Sequence, residues 1–393
     1  MTQTVKDRIV LFTGIIFLSF NMRPAITSAG PIIHLIQQDL RINNLATGII
    51  TTIPLLAFAL FSSFVSAMTS WWGNRKMLFV ALILIVMGMF IRYTENVYIL
   101  YLGTLIIGIG ITVINVLIPS IIKSDFPGKV GFLTSIYSTS MAAVAGLASG
   151  LSVPLAVGAG LGWRKTLLIW GILPILALIV WIPQLKRKER IEVVKQDKMQ
   201  DKSIWKSAIA WHVTLFMGFQ SLIFYCVIAW LPTILLNKGM SIQMAGFMLL
   251  LVQIVGLPFT FFLPILASKL KRKWISIAII AVMNLIGFLG LILFHQTGLL
   301  VLSIAIFSLS TGGSISLAYM IISEKSSDPL KVAKLSGMSQ SFGYLLAATG
   351  PVLMGFTYDQ TKNWIYPILI IQVANILLLL SGIRAINPKA TIK

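Results

Sequence analysis

One pattern recurs twelve times along the chain: an apolar run of 16 to 30 residues, then a polar break. A helix rises 1.5 Å per residue, so about 20 apolar residues cross the roughly 30 Å of a bilayer's hydrocarbon. The runs lie near 9–35, 44–68, 77–92, 97–122, 130–157 and 165–183, and then near 207–236, 242–267, 274–295, 297–322, 333–358 and 364–384. They predict an all-α integral membrane protein of twelve transmembrane helices. Composition excludes a soluble chain of this size: 57% of the 393 residues are hydrophobic and 11% charged, against about 25% charged in soluble domains. Lys6 and Arg8 ahead of an apolar run resemble a signal peptide. That run continues past Arg23 to about Ile36, too long for a signal sequence, and so is a first span.

The one long polar stretch, 184–206, separates six runs from six. It predicts a bundle at 1–183, a linker at 184–206 and a bundle at 207–393. Charge sets the orientation. With both termini in the cytoplasm, 24 of the 31 Lys and Arg residues fall in cytoplasmic segments and six in external loops (Arg41, Arg92, Arg164, Lys165, Lys238 and Lys362). This is the bias expected of cytoplasmic loops. The net charge of +20 is spread over seven short segments, which argues against a nucleic-acid partner. The bilayer and a small solute are the expected partners.

The two halves echo each other. Gly146, Gly150, Pro154 and Gly158 recur every fourth residue, as do Gly343, Ala347, Pro351 and Gly355, at a constant offset of 197. Arg75-Lys76 and Arg272-Lys273 share that offset, while Ile121-Ile122 and Ile321-Ile322 stand 200 apart. Small residues at this spacing let helices approach closely in a membrane, and the shared offset predicts a duplicated, pseudo-symmetric six-helix unit.

Twelve spans, a central polar loop and two parallel halves resemble the plan of the major facilitator superfamily. Its signature between spans two and three is weak here: Gly73 and the basic pair Arg75-Lys76 survive, while Ser66, Ser70 and Trp71 replace its first Gly, its Asp and its Arg. Other segments resemble the cyanate/nitroimidazole transporter (CynX/NimT) family within it. They include Asn21-Met22-Arg23-Pro24-Ala25, Asn115-Val116-Leu117-Ile118-Pro119, Lys123-Ser124-Asp125-Phe126-Pro127-Gly128, Gly162-Trp163-Arg164, Gln220 to Tyr225, Ala229-Trp230-Leu231-Pro232 and Leu335 to Tyr344. The resemblance implies small-solute transport across a bacterial cytoplasmic membrane, with the solute held between the halves.

Within the spans, chemistry-bearing residues are few. All eleven acids fall at span ends or in loops, so a buried carboxylate carrying a coupling proton is not expected. Arg23 is the exception among the bases. It stands ~21 Å along span one from Ile9, where an Arg costs about 3 kcal/mol to insert, and Pro24 beside it frees a backbone carbonyl. Asn21 and Thr27 are placed with it. Uncharged polar and aromatic residues at middle depth complete the candidate solute site: Asn115, Tyr137, Gln220, Tyr225, Trp230, Gln253, Gln340 and Tyr344. Interhelical bonding is the structural alternative for each. Most tryptophans, Trp71, Trp72, Trp181, Trp205, Trp274 and Trp364 among them, read as an interfacial belt.

Three scattered histidines, the single Cys226 and the lack of a phosphate loop predict no metal, no cofactor and no direct drive by ATP. A catalytic constellation, as a membrane enzyme would need, is not seen, nor is a repeated channel filter. The expected function is secondary or facilitated transport of a small polar or anionic solute by alternating access, with Arg23 in the central cavity. Efflux of small drug-like compounds such as nitroimidazoles is the alternative.

Overall fold

In lipid each span must satisfy its own backbone groups, and the chain does so with helices throughout. The computed structural model describes residues 3–42, 44–186 and 202–387, and every regular element among them is helical. Most of the predicted linker, including Arg187, Lys188, Glu189 and Arg190, lies outside the described residues, as do the side chains of Ser66, Ser70 and Trp71.

Span one is built from Gln3–Ser19, Pro24–Thr27, a 3-10 turn Gly30–Ile32 and Ile33–Leu40. Spans two to five are Asn44–Trp72, Asn74–Ile91, Val97–Asp125 and Val130–Val153, the last prolonged by a π turn at Pro154–Gly158. Span six combines Gly162–Ile169 with Ile172–Leu185. Spans seven to twelve are Ala208–Asn237, Ile242–Lys269, Trp274–Leu293, Thr297–Glu324, Pro329–Thr361 and Ile365–Ile386. Span starts carry the caps that physics favours. The side chains of Asn96, Ser207, Ser241 and Asp328 each accept a bond from a first-turn N–H, and Pro329 follows Asp328 at the first helical position.

Ten of these segments are long and apolar enough on their own to cross a bilayer. Spans two and eleven are the exceptions among the described residues: span two is represented there by the shorter apolar stretch Thr52–Val65, and span eleven carries Ser336, Ser339 and Gln340, which are buried in the protein rather than facing lipid. Outward-facing Phe64, Phe262 and Val352 are exposed, as lipid contact requires.

The duplicated frame is visible in the packing. Span two packs on four, three on four and six, and one on six. Eight packs on ten, nine on ten and twelve, and seven on twelve. Each bundle also ties the start of its third helix to the end of its fourth with an ion pair: Arg75–Asp125 at 3.5 Å and Lys273–Glu324 at 2.7 Å. Gly73, just before Arg75, has φ +76, a backbone state that only glycine adopts cheaply. This accounts for the surviving end of the weak motif. The small-residue rows do occupy equivalent helices, five and eleven. Their uses differ: Gly150 approaches Leu250 of span eight in the other bundle, whereas Gly343 approaches Gly218 within its own.

Two helix pairs bridge the bundles most extensively, five with eight and eleven with two. Closure is tight towards the face at which span one starts and span twelve ends. The Ser120 hydroxyl donates to the Pro329 carbonyl at 2.7 Å, and Ser63 and Ser341 share a bond of 2.9 Å. Gly131 abuts Ser268, and a Cβ on Gly337 would stand 2.6 Å from the Ser62 carbonyl oxygen. A larger residue at 337 therefore cannot be accommodated without separating spans two and eleven. Gly337→Val should disfavour this closed arrangement by about 1–3 kcal/mol, the usual cost of overpacking. Distances between spin labels on spans two and eleven should lengthen at this face; an unchanged distribution would refute it.

Candidate functional site

Span one breaks just before Arg23. The backbone of 20–23 leaves the helix, Pro24 starts the next turn, and Arg23 stands at the N-cap with φ −131 and ψ −39. The Asn21 side chain is spent on the break, since its Nδ2 donates to the Phe17 carbonyl at 2.7 Å. Arg23 itself is only 9% exposed, and no carboxylate pairs with it among the described residues. Its partners come from span seven: Nη1 donates to the Tyr225 hydroxyl at 3.0 Å, and the guanidinium lies 5.5 Å from the Phe224 ring centre. One buried cation thus joins the first bundle to the second through a charge-assisted bond and a cation–π contact.

Around this pair the aromatic residues form a cage. Tyr344 of span eleven meets Tyr225 at 6.3 Å between ring centres and Phe58 of span two at 4.9 Å. The Tyr137 and Tyr319 rings meet edge to face at 5.5 Å, and the Tyr319 hydroxyl donates to Asn115 Oδ1 at 3.3 Å. Tyr137 is fully buried, with a hydroxyl that has no bonding partner among the described residues. Tyr137, Tyr319 and Asn115 lie towards the terminal ends of their spans, so they seal the boundary beneath Arg23.

A chamber of about 50 Å³ lies between the bundles at middle depth. Arg23, Thr27, Gln220 and Gln253 of the expected site reach it, together with Phe224, Thr260 and Thr311. Thr27 Oγ1 donates to the Ala145 carbonyl at 3.1 Å, and Gln220 Nε2 donates to Ser221 Oγ at 2.7 Å. At about 10–15 Å³ per water the chamber holds about three to five waters, far below the roughly 300–1,000 Å³ of a drug-sized pocket. As it stands, it fits only a small solute.

The structure does not bring all eleven candidates together. Trp230 donates to the Pro351 carbonyl at 2.9 Å and packs on Trp364, away from the chamber. Gln340 is fully buried with its Nε2 on Ser336 Oγ, and Asn21 serves the helix break. These three do not line the cavity, and neither do Asn115, Tyr137, Tyr225 and Tyr344, which belong to the aromatic cage beside it. Phe224 and Tyr319 were not among the candidates. Phe224 sits inside the quoted Gln220 to Tyr225 segment but is apolar. Tyr319 was within reach, since the 200-residue offset places Ile315 opposite Asn115 and Tyr319 one turn further on.

Charge placement also differs from expectation at one point. Arg92 is 2% exposed, its Nη1 on the Ala25 carbonyl at 2.7 Å, so it is not a solvated loop charge. The described acids do pair at span ends: Asp39 with Arg164 at 2.7 Å and Asp359 with Lys362 at 3.7 Å, besides the two pairs above. Of the predicted aromatic belt, Trp72, Trp205 and Trp274 are exposed, but Trp181 is fully buried and donates to the Arg75 carbonyl at 3.0 Å.

Two matched bundles of membrane helices, enclosing at their boundary a small and largely apolar chamber with Arg23, Gln220 and Gln253 in its wall, define a solute carrier rather than an enzyme. The Major Facilitator Superfamily model matches residues 10–351, and the chain belongs to that superfamily, in its cyanate/2-nitroimidazole transporter branch. It is 44% identical to the uncharacterized transporter YycB of Bacillus subtilis (strain 168), covering 95% of this chain and 92% of that one. To the 2-nitroimidazole transporter of Escherichia coli (strain K12) it is 37% identical, over 98% and 97% of the two chains. To the cyanate transport protein CynX of the same strain it is 25% identical, over 89% and 90%. The fold is similar to that of the transporter FucP in the outward conformation, with a TM-score of 0.74 at 13% identity over 96% of this chain and 99% of that one.

Tyr225 supplies the hydrogen bond that the described structure gives to the Arg23 side chain. Tyr225→Phe should lower the stability of the empty protein by about 1.5–3 kcal/mol, the range for a hydrogen bond to a charged group. Thermal unfolding in detergent reads this directly, and an unchanged midpoint would show that Arg23 finds another partner.

Proposed function

We propose that this protein carries a small anion, or a small planar solute with an electron-rich polar group, by alternating access, and that Arg23 is its main electrostatic anchor. The observation that supports this is a buried guanidinium at a chamber between the bundles with no carboxylate among the described residues to neutralise it. A cost of that kind is offset when the solute supplies the countercharge. Guanidinium presents five N–H donors in a planar fork, which suits small planar anions. The relatives named for cyanate and 2-nitroimidazole point to the same chemistry. Gln220, Gln253 and Thr27 orient the solute from the chamber wall, and Tyr225 and Tyr344 flank the guanidinium.

On this reading the bundles at 1–183 and 207–393 rock as units about the 184–206 linker, alternately opening the chamber to each side. The charge bias supports an orientation with both termini in the cytoplasm of a bacterium, and on that orientation the described state is closed towards the cytoplasm. No acid among the described span interiors is available as a proton carrier; coupling, where present, runs through other groups. Export of nitroimidazole-like compounds is the second reading, favoured by the apolar share of the wall from Met141, Phe224 and Ile315.

The test is binding of cyanate and of 2-nitroimidazole to purified wild-type, Arg23→Lys and Arg23→Ala protein. Arg23→Ala should lose affinity by about ten- to a hundredfold, equivalent to roughly 1.5–3 kcal/mol. Arg23→Lys should also weaken binding although the charge is kept, because the fork is lost. Folded Arg23→Ala protein that binds either solute within about a factor of two of wild type (well under 1.4 kcal/mol) would make Arg23 structural.

A further inference from the structure

A break in a membrane helix frees carbonyls that lipid cannot satisfy, and something in the protein must bond them. In span one Thr27 N–H reaches the Arg23 carbonyl and Ser28 N–H the Pro24 carbonyl, but Ala29 N–H turns to Ile26 and passes over Ala25. The Ala25 carbonyl, two residues from Arg23, is instead taken by Arg92 Nη1 at 2.7 Å. Arg92 follows the last residue of span three, is 2% exposed and has no ion pair among the described residues. Its Nε has no bonding partner either. A second buried cation without a carboxylate is thus spent on one backbone oxygen.

The other bundle supplies the control. Gly88 of span three packs against the Gly103 carbonyl and Ile107 of span four, and Gly287 of span nine packs against the Ser303 carbonyl and Phe307 of span ten. The offsets are 199 and 200, so Arg92 corresponds to Leu291 and Gly103 to Ser303. Leu291 is 1% exposed and apolar. Span seven, the partner of span one by symmetry, is a continuous helix with no break to serve. Gly103 belongs to the same device: a Cβ there would stand 2.8 Å from Arg92 Cγ and 2.9 Å from Arg92 N. Only the bundle with a broken first helix carries the arginine and the glycine that seats it.

We propose that Arg92 is a positioning residue for the solute site: by holding the Ala25 carbonyl it fixes the break in span one and so sets where Arg23 and Thr27 meet the chamber. This rests on the reading of Arg23 as the anchor, but its test needs no solute.

In a Cys226→Ser background, Thr27→Cys or Gln253→Cys provides a single thiol on opposite bundles of the same chamber. Its rate of modification by a small methanethiosulfonate reagent is then followed with Arg92 intact, as Arg92→Lys and as Arg92→Met. Arg92→Met should speed modification at residue 27 by about ten- to a hundredfold, the factor carried by one hydrogen bond from a charged donor, and leave residue 253 unchanged. Arg92→Lys, which keeps a donor, should lie nearer to wild type, and it decides the matter alone where Arg92→Met does not fold. Equal changes at both thiols would mean general loosening, and no change would mean that the contact is idle; either overturns the proposal. So does failure of both variants to fold, which would make Arg92 a folding determinant. Because labelling is independent of binding, an Arg23→Ala protein that binds normally would sink the anchor reading without touching this result.

Discussion

Every peptide group at bilayer depth needs a partner from the protein itself, and the site exists because span one departs from that rule in a controlled way. Pro24 cannot donate, the chain turns out of its helix over 20–23 and again after Thr27, and side chains tie the segment down. Asn21 serves the Phe17 carbonyl, Arg92 serves the Ala25 carbonyl, and Thr27 bridges to Ala145 of span five. What the break gains is direction. An arginine within a regular helix would be held to that helix's own side-chain directions, whereas Arg23 at the start of a short turn reaches across to span seven.

The duplicated frame makes this asymmetry readable. Both bundles repeat the same helix pairings and the same ion pair between third and fourth helices. Against that shared background, the differences fall where the proposed solute site lies. Span one is broken and span seven is whole; a cation and a glycine stand where the other bundle has leucine and serine. A carrier needs its halves alike enough to rock about a common axis, and unlike enough to present one anchor rather than two.

Much of the fold was legible because the bilayer makes apolar run length a direct signal: twelve runs became twelve spans, with N-caps such as Asn96 and Asp328 marking their starts. Depth was legible too, and it singled out Arg23. Facing was not. Trp230 and Gln340 stand in polar or aromatic contexts like those of Tyr225 and Gln220, yet the former bond within their own bundle while the latter meet the boundary between bundles. Helices buried nearly all round carry little amphipathic signal to say which side faces which neighbour. Arg92 shows the same limit: its position just past a span end suggested water, and only the broken backbone of a sequence-distant helix explains its burial.

Buried arginine and buried tyrosine also define how the anchor is held. The Arg23 guanidinium is met from the second bundle by the Tyr225 oxygen and the Phe224 ring face. An oxygen lone pair and a π face are the weak, uncharged versions of what an anion offers. On the reading proposed above, an arriving anion therefore competes with groups that already bridge the two bundles, and gains only the difference between a full charge and a phenol oxygen. That difference favours an anion, because the bond to Tyr225 is charge-assisted from the donor side alone, whereas an anion adds an ionised acceptor and can take the guanidinium fork in a bidentate pair. A carboxylate in place of Tyr225 would have neutralised Arg23 permanently and left the solute nothing to replace. The absence of acids from the described span interiors and the presence of tyrosines around Arg23 are thus two sides of one requirement: the anchor must be kept in place without being quenched.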